Sequence, residues 1–414
     1  MNRPASTGRR GVGPLAVVSI AVGGTVVVSC AALVSGIVAI ARKIVTPARR
    51  RRDDVRIEAH DAVAGTITLR STPDTRLPGR YSFWYDRGRG HARIGEVVHD
   101  DGRYVERRVE HEDGVGGVEG VEASGLRRAH RGRIGGWLYP TPHDAGLTAD
   151  EVVVDTEVGP APAWLVPAEG GLDGLWMIGV HGRGVTRAET IRAAPVFRRE
   201  GFTSLLVSYR NDGEAPRSPD GRYALGDSEW RDVEAAIRFA LDHGATSVVL
   251  MGWSMGGALV LQAATRSTLR GAVSGLVLES PVVDWRTTLA YQGAAMRVPG
   301  VVQGLVLRLL GSPLLCRLAG SAEPIDFDRL DLVSRAGELD LPVLVLHSDD
   351  DGFVPSTASH ALAEARPDIV TFEVFDVARH TKLWNLDPER FEGAIGRWLD
   401  RHRLAGPPST DHRA

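Results

Sequence analysis

The chain has 414 residues, 43% of them apolar and 24% charged, with a formal net charge of -3. This composition argues against a disordered polymer, and the near balance of charge argues against a nucleic-acid partner. Of its 49 cationic Lys and Arg side chains only Lys43 and Lys382 are lysines. Its two cysteines, Cys30 and Cys316, found neither a disulfide framework nor a metal-binding spacing, and no metal or cofactor motif stands elsewhere.

From Val12 to Ala41 the sequence runs almost unbroken in Ala, Val, Ile, Leu, Gly and Ser without a charge, and about 20 such residues span a bilayer as a helix. Residues 1–45 are therefore predicted to be a transmembrane anchor, making this a single-pass membrane protein. Arg3, Arg9 and Arg10 precede the span, whereas Arg42, Lys43 and Arg49 to Arg52 follow it. The heavier flank lies on the carboxyl side, which puts the remainder of the chain in the cytoplasm, with a basic cluster facing anionic lipid. A cleaved signal peptide is the first alternative, disfavoured by the length of the apolar core. A lipoprotein site at Val27-Val28-Ser29-Cys30 is the second, disfavoured because the chain stays apolar well past Cys30.

Residues 46–148 carry short alternating or aromatic runs at Gly65–Leu69, Arg80–Tyr85, His91–Val98 and Arg103–Val109, separated by turn-forming Gly, Pro and Asp. They predict a small β-rich unit. Its histidines, among them His91, lack metal-ligand spacing and are read as solvated. The Gly-rich stretch 114–120 follows no apolar strand, so a nucleotide-binding loop is not supported.

From residue 149 the texture changes to apolar runs alternating with amphipathic stretches, the pattern of a sheet flanked by helices. Strands are predicted at Glu151–Glu157, Ala161–Val166, Leu175–Val180, Thr203–Ser208, Ser247–Gly252, Gly275–Glu279, Pro342–His347 and Ile369–Phe375, the first two as a hairpin. Helices are predicted at Arg187–Glu200, Ser228–His243, Met255–Arg266, Ser356–Ala365 and Pro388–Arg403, with a disordered tail over 405–414.

The run Ser247–Leu250 leads directly into Gly252-Trp253-Ser254-Met255-Gly256-Gly257 and then into a small-residue helix. A serine at the tip of such a strand-to-helix turn is a nucleophile elbow. Its flanking positions must be small because a side chain there would meet the neighbouring strand and helix. The turn exposes the hydroxyl and aims the helix amino terminus at an oxyanion formed on an attacked acyl carbon.

With this motif and the segments Leu341 to Pro355 and Asp376 to Thr381, residues 149–404 resemble the α/β-hydrolase superfamily, in particular its bacterial esterase, dienelactone-hydrolase-like and serine-aminopeptidase-like branches. The resemblance implies an α/β fold and a triad in the order Ser, acid, His. It makes Asp351 the triad acid, with Asp349 and Asp350 left as capping residues, and His380 the base. It implies backbone oxyanion donors at Arg183, in Val180-His181-Gly182-Arg183-Gly184, and at Met255. The Arg183 side chain is read as solvated, with orientation of an anionic substrate group as the alternative. Ser348 and Arg379 stand where the family has glycine.

Some sixty residues separate the strand ending at Glu279 from the one starting at Pro342, far more than one crossover helix needs. They predict a cap over about 282–340. Val298, Val301, Val302, Leu305, Val306, Leu309 and Leu310 recur there at helical spacing, with Leu314, Leu315 and Leu318 beyond Pro313. Packing onto the core, a ceiling for an acyl chain, and a patch dipping into the membrane are all compatible with that spacing. The expected function is a membrane-tethered serine hydrolase of carboxylesterase or lipase type, acting on a small-molecule or lipid-like acyl ester without metal or organic cofactor. A serine peptidase and a non-catalytic membrane scaffold are the alternatives.

Overall fold

The computed structural model describes residues 31–48, 51–113, 125–170 and 174–404. Residues 31–45, the carboxyl half of the apolar stretch, form helix α1. Ile37, Ala41 and Val45, spaced four apart on one face, are buried in the largest apolar cluster of the protein. Two hydrogen bonds pin the end of the helix: Tyr223 N–H donates to Val45 O at 2.8 Å, and Arg42 Nε to Leu318 O at 2.9 Å.

The predicted transmembrane helix is thereby corrected. Among the described residues no helix is long and apolar enough to cross a membrane, and the part of the predicted span from Val12 to Cys30 lies outside them. The membrane tether, the membrane partner, the single-pass placement and the cytoplasmic orientation all rested on that helix and fall with it. Hydropathy registers an apolar stripe but not what covers it, and here a protein core covers Ile37, Ala41 and Val45.

Beyond α1, six antiparallel strands form a closed barrel. They are β1 (Val55–Asp61), β2 (Thr66–Arg70), β3 (Tyr81–Tyr85), β4 (Gly90–Asp100), β5 (Tyr104–Asp113) and β6 (Arg131–Gly135), in the order β1-β2-β5-β4-β3-β6. Closure removes the open edges of a small sheet. The interior is filled by alternate residues of the strands, Ile67, Leu69, Tyr81, Phe83, Tyr85 and Ile94, with Leu126 of the short helix α2 (Gly125–Arg128). His91, read as solvated, is 4% exposed and stands 2.8 Å from Ser82 Oγ. The stretch 114–120 lies outside the described residues.

Arg107 of β5 is fully buried. Its guanidinium donates to the carbonyl oxygens of Thr75 (3.0 Å), Leu77 (2.7 Å), Gly79 (2.7 Å) and Gly95 (2.9 Å), with burial pushing its pKa down to about 10. It thus fastens the β2–β3 loop, residues 71–80, to the barrel. Replacing Arg107 by methionine strands these carbonyls away from water and is expected to cost about 3–5 kcal/mol. Chemical denaturation followed by intrinsic fluorescence checks this; an unchanged midpoint would refute the role.

The second unit is an eight-stranded sheet ordered β14-β13-β12-β11-β9-β10-β8-β7. Its strands are β7 (Asp150–Thr156), β8 (Gly159–Val166), β9 (Leu175–Val180), β10 (Thr203–Val207), β11 (Ser247–Trp253), β12 (Val273–Glu279), β13 (Val343–Ser348) and β14 (Val370–Phe375). The hairpin β7–β8 is antiparallel to β10, and the other pairs are parallel. The central strands are apolar throughout because helices cover both faces. These helices are α3 (Ala194–Arg199), preceded by a 3-10 turn at Arg187–Ala193, α4 (Trp230–Asp242) and α5 (Met255–Arg266). Further along come α9 (Thr357–Ala365), α10 (Leu383–Leu386) and α11 (Pro388–Arg401).

The insertion between β12 and β13 carries a helical cap, α6 (Trp285–Ala295), α7 (Gly300–Leu310) and α8 (Cys316–Ala319). Val306, Leu309 and Leu310 are buried against the core, whereas Val301 and Leu314 are 79% and 85% exposed. The tail at 405–414 lies outside the described residues.

The barrel meets the eight-stranded sheet through the loop after β14. Asp74 of the β2–β3 loop accepts from Lys382 Nζ at 3.0 Å and lies 3.8 Å from Arg379 Nε. Asn385 Nδ2 donates to Arg80 O at 2.7 Å, and Arg80 N–H donates back to Asn385 O at 3.2 Å.

Candidate active site

The turn after β11 puts Ser254 at φ 52°, ψ −116°, a strained backbone for a residue with a side chain. Space forces small neighbours. A Cβ on Gly252 would lie 2.5 Å from Gly256 O, and one on Gly256 would lie 2.1 Å from Val180 O. Ser254 itself is 6% exposed.

His380 lies in the loop after β14, between two residues of positive φ, Arg379 (58°) and Thr381 (50°). Its Nε2 is 3.0 Å from Ser254 Oγ and its Nδ1 is 2.7 Å from Asp351 Oδ2. The carboxylate can only accept, so Nδ1 carries the proton and Nε2 faces the serine hydroxyl as an acceptor. Asp351 is buried and fully bonded: its Oδ1 accepts the backbone N–H groups of Phe353 (2.8 Å) and Val354 (2.9 Å), and its Oδ2 also meets His347 Nε2 at 3.2 Å. Burial works to raise the Asp351 pKa, but the charges and hydrogen bonds of His380 and His347 outweigh it and hold the carboxyl well below the usual range.

The other two aspartates point elsewhere. Asp349 accepts from Ser356 Oγ (2.8 Å) and pairs with His360 Nε2 (2.9 Å) at the surface. Asp350 accepts from Ser348 Oγ and from the backbone N–H of Arg379, both at 2.8 Å, while Ser348 Oγ in turn accepts from Ala378 N–H at 2.9 Å. The two departures from the family's glycines are therefore joined. Ser348 and Arg379 are linked through Asp350, tying the acid loop to the histidine loop.

The loop 181–184 runs beside the elbow: a Cβ on Gly182 would lie 3.2 Å from Ser254 Cβ. Glu189 accepts Gly182 N–H at 2.7 Å, Tyr209 OH donates to Gly182 O at 3.0 Å, and the His181 ring stacks on Tyr209 and meets Asp212 at 3.1 Å. The backbone N–H groups of Arg183 and Met255 have no acceptor among the described residues. The Arg183 side chain is not solvated as its sequence position suggested. Its guanidinium donates to Lys43 O (3.0 Å) and Thr46 O (3.2 Å) below α1 and lies over the Tyr223 ring, and burial lowers its pKa.

His380 opens into a cavity of about 1130 Å³ bounded on four sides. The eight-stranded unit contributes Arg183, Gly184 and Phe353; the cap contributes Leu289, Met296, Val306 and Leu307; α1 and the segment after it contribute Ile40, Lys43, Ile44 and Arg51; the barrel side contributes Ile134 and Trp137. Sequence reasoning missed His347, Glu189 and Asp212 as supports. It also missed α1 and the barrel as cavity walls. The strand-end position of His347, four residues before Asp351, was the only local signal; the others are brought in by the fold.

Comparison with known proteins follows the two units. The pattern of the alpha/beta hydrolase family matches residues 177–394, just over half of the chain, and a family described only as a domain of unknown function matches residues 56–135, the barrel. The chain belongs to the alpha/beta hydrolase family. No curated protein matches it.

Among solved structures, an esterase from Pyrococcus furiosus is similar with 20% identity and a TM-score of 0.50, over 64% of this chain and 94% of that one. An esterase from a Rhodococcus species gives 20% identity and a TM-score of 0.43 over 61% and 99% of the two chains. A puromycin-hydrolyzing peptidase from Mycobacterium tuberculosis gives 16% and 0.46 over 81% of this chain and 46% of that one. At such identities the likeness concerns the fold alone.

Proposed function

We propose that the protein is a serine hydrolase that cleaves carboxylic esters through an acyl-enzyme, with Ser254 as nucleophile, His380 as general base and acid, and Asp351 as the group that fixes the imidazole. The observation that carries this reading is the row of hydrogen bonds from Asp351 through His380 to Ser254, at 2.7 and 3.0 Å, opening into a cavity with an apolar wall. Ser254 Oγ attacks the ester carbonyl as its proton passes to His380 Nε2. The resulting oxyanion is accommodated by the N–H groups of Arg183 and Met255. His380 then protonates the departing alcohol, and a water activated by the same nitrogen hydrolyses the acyl-serine.

The esterase branch is favoured over an aminopeptidase because a free amine entering the cavity would meet the cations Lys43, Arg51 and Arg183. Of the three carboxylates there, Asp74 is engaged by Lys382, Glu189 by Gly182 N–H, and Asp54 faces the charge of Arg51. A fluorophosphonate probe is expected to label Ser254, as read by peptide mass spectrometry, together with turnover of short-chain para-nitrophenyl esters. Labelling elsewhere with no turnover would end this reading.

A further inference from the structure

The cavity in front of His380 is charged in an unbalanced way. Its lining includes Arg42, Lys43, Arg51, Arg183, Arg379 and Lys382 against Asp54, Asp74 and Glu189. Asp74 already serves both Lys382 and Arg379. The other four cations have no carboxylate within ion-pair distance among the described residues. Arg42 and Arg183 bond only backbone carbonyls. Arg51 does likewise, donating to Gly184 O at 3.0 Å and Arg183 O at 3.5 Å. Lys43 Nζ has only the Met296 sulfur, at 3.9 Å.

Three of these stand on adjoining stretches of the cavity wall beside the loop proposed to hold the oxyanion: Arg51 donates to the carbonyl of Arg183, and Arg183 to the carbonyl of Lys43. Lys43 and Arg51 are exposed along the cavity wall and Arg183 is half-buried, and Glu189 and Asp54 act on the Arg51 charge from beyond ion-pair distance. Cations gathered along one cleft without a paired carboxylate raise the local concentration of anions there. A second, independent observation points the same way: in a chain that otherwise uses Arg for every cation, both lysines, Lys43 and Lys382, line this cavity.

We infer that the substrate is an ester carrying an anionic group, carboxylate, phosphate or sulfate, which sits on Lys43, Arg51 and Arg183 while its hydrocarbon part lies against Leu289, Val306 and Leu307. The inference rests on the esterase reading for the bond that is cut, but the site's preference for an anion does not depend on it. The reaction needs only the ester and water. The anion positions the ester and takes no part in bond making, so its contribution appears in binding and in kcat/KM.

The test uses the full chain and three compounds: para-nitrophenyl pentanoate, its carboxylate-ended counterpart para-nitrophenyl hydrogen glutarate, and the pentanoate of a sulfonated nitrophenol. Calorimetry on the Ser254→Ala protein is expected to give at least one anionic compound about tenfold tighter binding than the neutral ester, as one charge-assisted contact supplies. In the unmodified protein kcat/KM should follow the same order. Lys43→Met, which removes only a contact to sulfur, should abolish most of the preference, and Lys43→Arg should keep it. Equal or weaker binding of both anionic compounds, or a preference indifferent to Lys43→Met, overturns the inference. Selective binding without turnover of any of the three would instead remove the esterase reading and leave the anion site standing.

Discussion

Replacement of Ser254 by alanine is expected to lower ester turnover by about 10⁵-fold or more while the protein keeps its fold. The size follows from the geometry. The attacking oxygen, the nitrogen that takes its proton and the carboxylate that orients that nitrogen act in one proton transfer, and without the first the other two have nothing to activate. The fold should survive because Ser254 sits in left-handed backbone geometry, at φ 52°, whatever its side chain, and alanine retains the Cβ the turn already accommodates. The measurement is single-turnover hydrolysis of para-nitrophenyl acetate, with thermal unfolding as control. A folded variant hydrolysing at close to the original rate would refute the assignment of the nucleophile.

Asp351→Asn is expected to lower kcat by about 10³–10⁴-fold, because an amide in place of the carboxylate turns the His380 ring to the wrong tautomer. Asp349→Asn, whose partners are Ser356 and His360, should change kcat by less than about threefold. The same substitution has a signature in stability. The Asp351 pKa is lower folded than unfolded, so its stabilising contribution is complete above the ordinary carboxylate value of about 4 and is lost as pH falls through the folded value. The melting temperature of Asp351→Asn should therefore start lower at neutral pH and fall less steeply below about pH 4. Parallel curves for the two proteins would contradict the depressed pKa.

Most of the α/β sheet could be read from sequence because its signals are local. Consecutive Val, Leu and Ile bounded by Gly and Asp mark strands buried on both faces, and Leu175–Val180 runs as a strand over those same residues. Helix α5 likewise begins at Met255, directly after the elbow serine. The barrel was half legible. Its aromatic and alternating strands stood out, whereas β1 and β6, which close it, are charged and lack a long apolar run, Val55–Asp61 and Arg131–Gly135. The amino-terminal helix was misread because its partner lies far along the chain: Arg42 bonds Leu318, 276 residues away. The same distance hid Arg51 and Lys43 from any reading of the site, since nothing near them in sequence announces a cavity.

That separation also sets an order for synthesis. When α1 leaves the ribosome, the surface it packs on does not exist: Tyr223, which bonds Val45, is some 178 residues downstream, and Leu318 further still. The barrel, whose strands pair within residues 55–135, can close early, as domains fold amino-terminal first at about 5–20 residues per second. The apolar stripe Ile37, Ala41 and Val45 then waits uncovered until the cap is made. A nascent chain of this protein thus presents an adhesive segment for many seconds, so a chaperone-poor host should yield aggregates nucleated at its amino terminus, while refolding of the finished chain, with every partner already present, should be spared that delay.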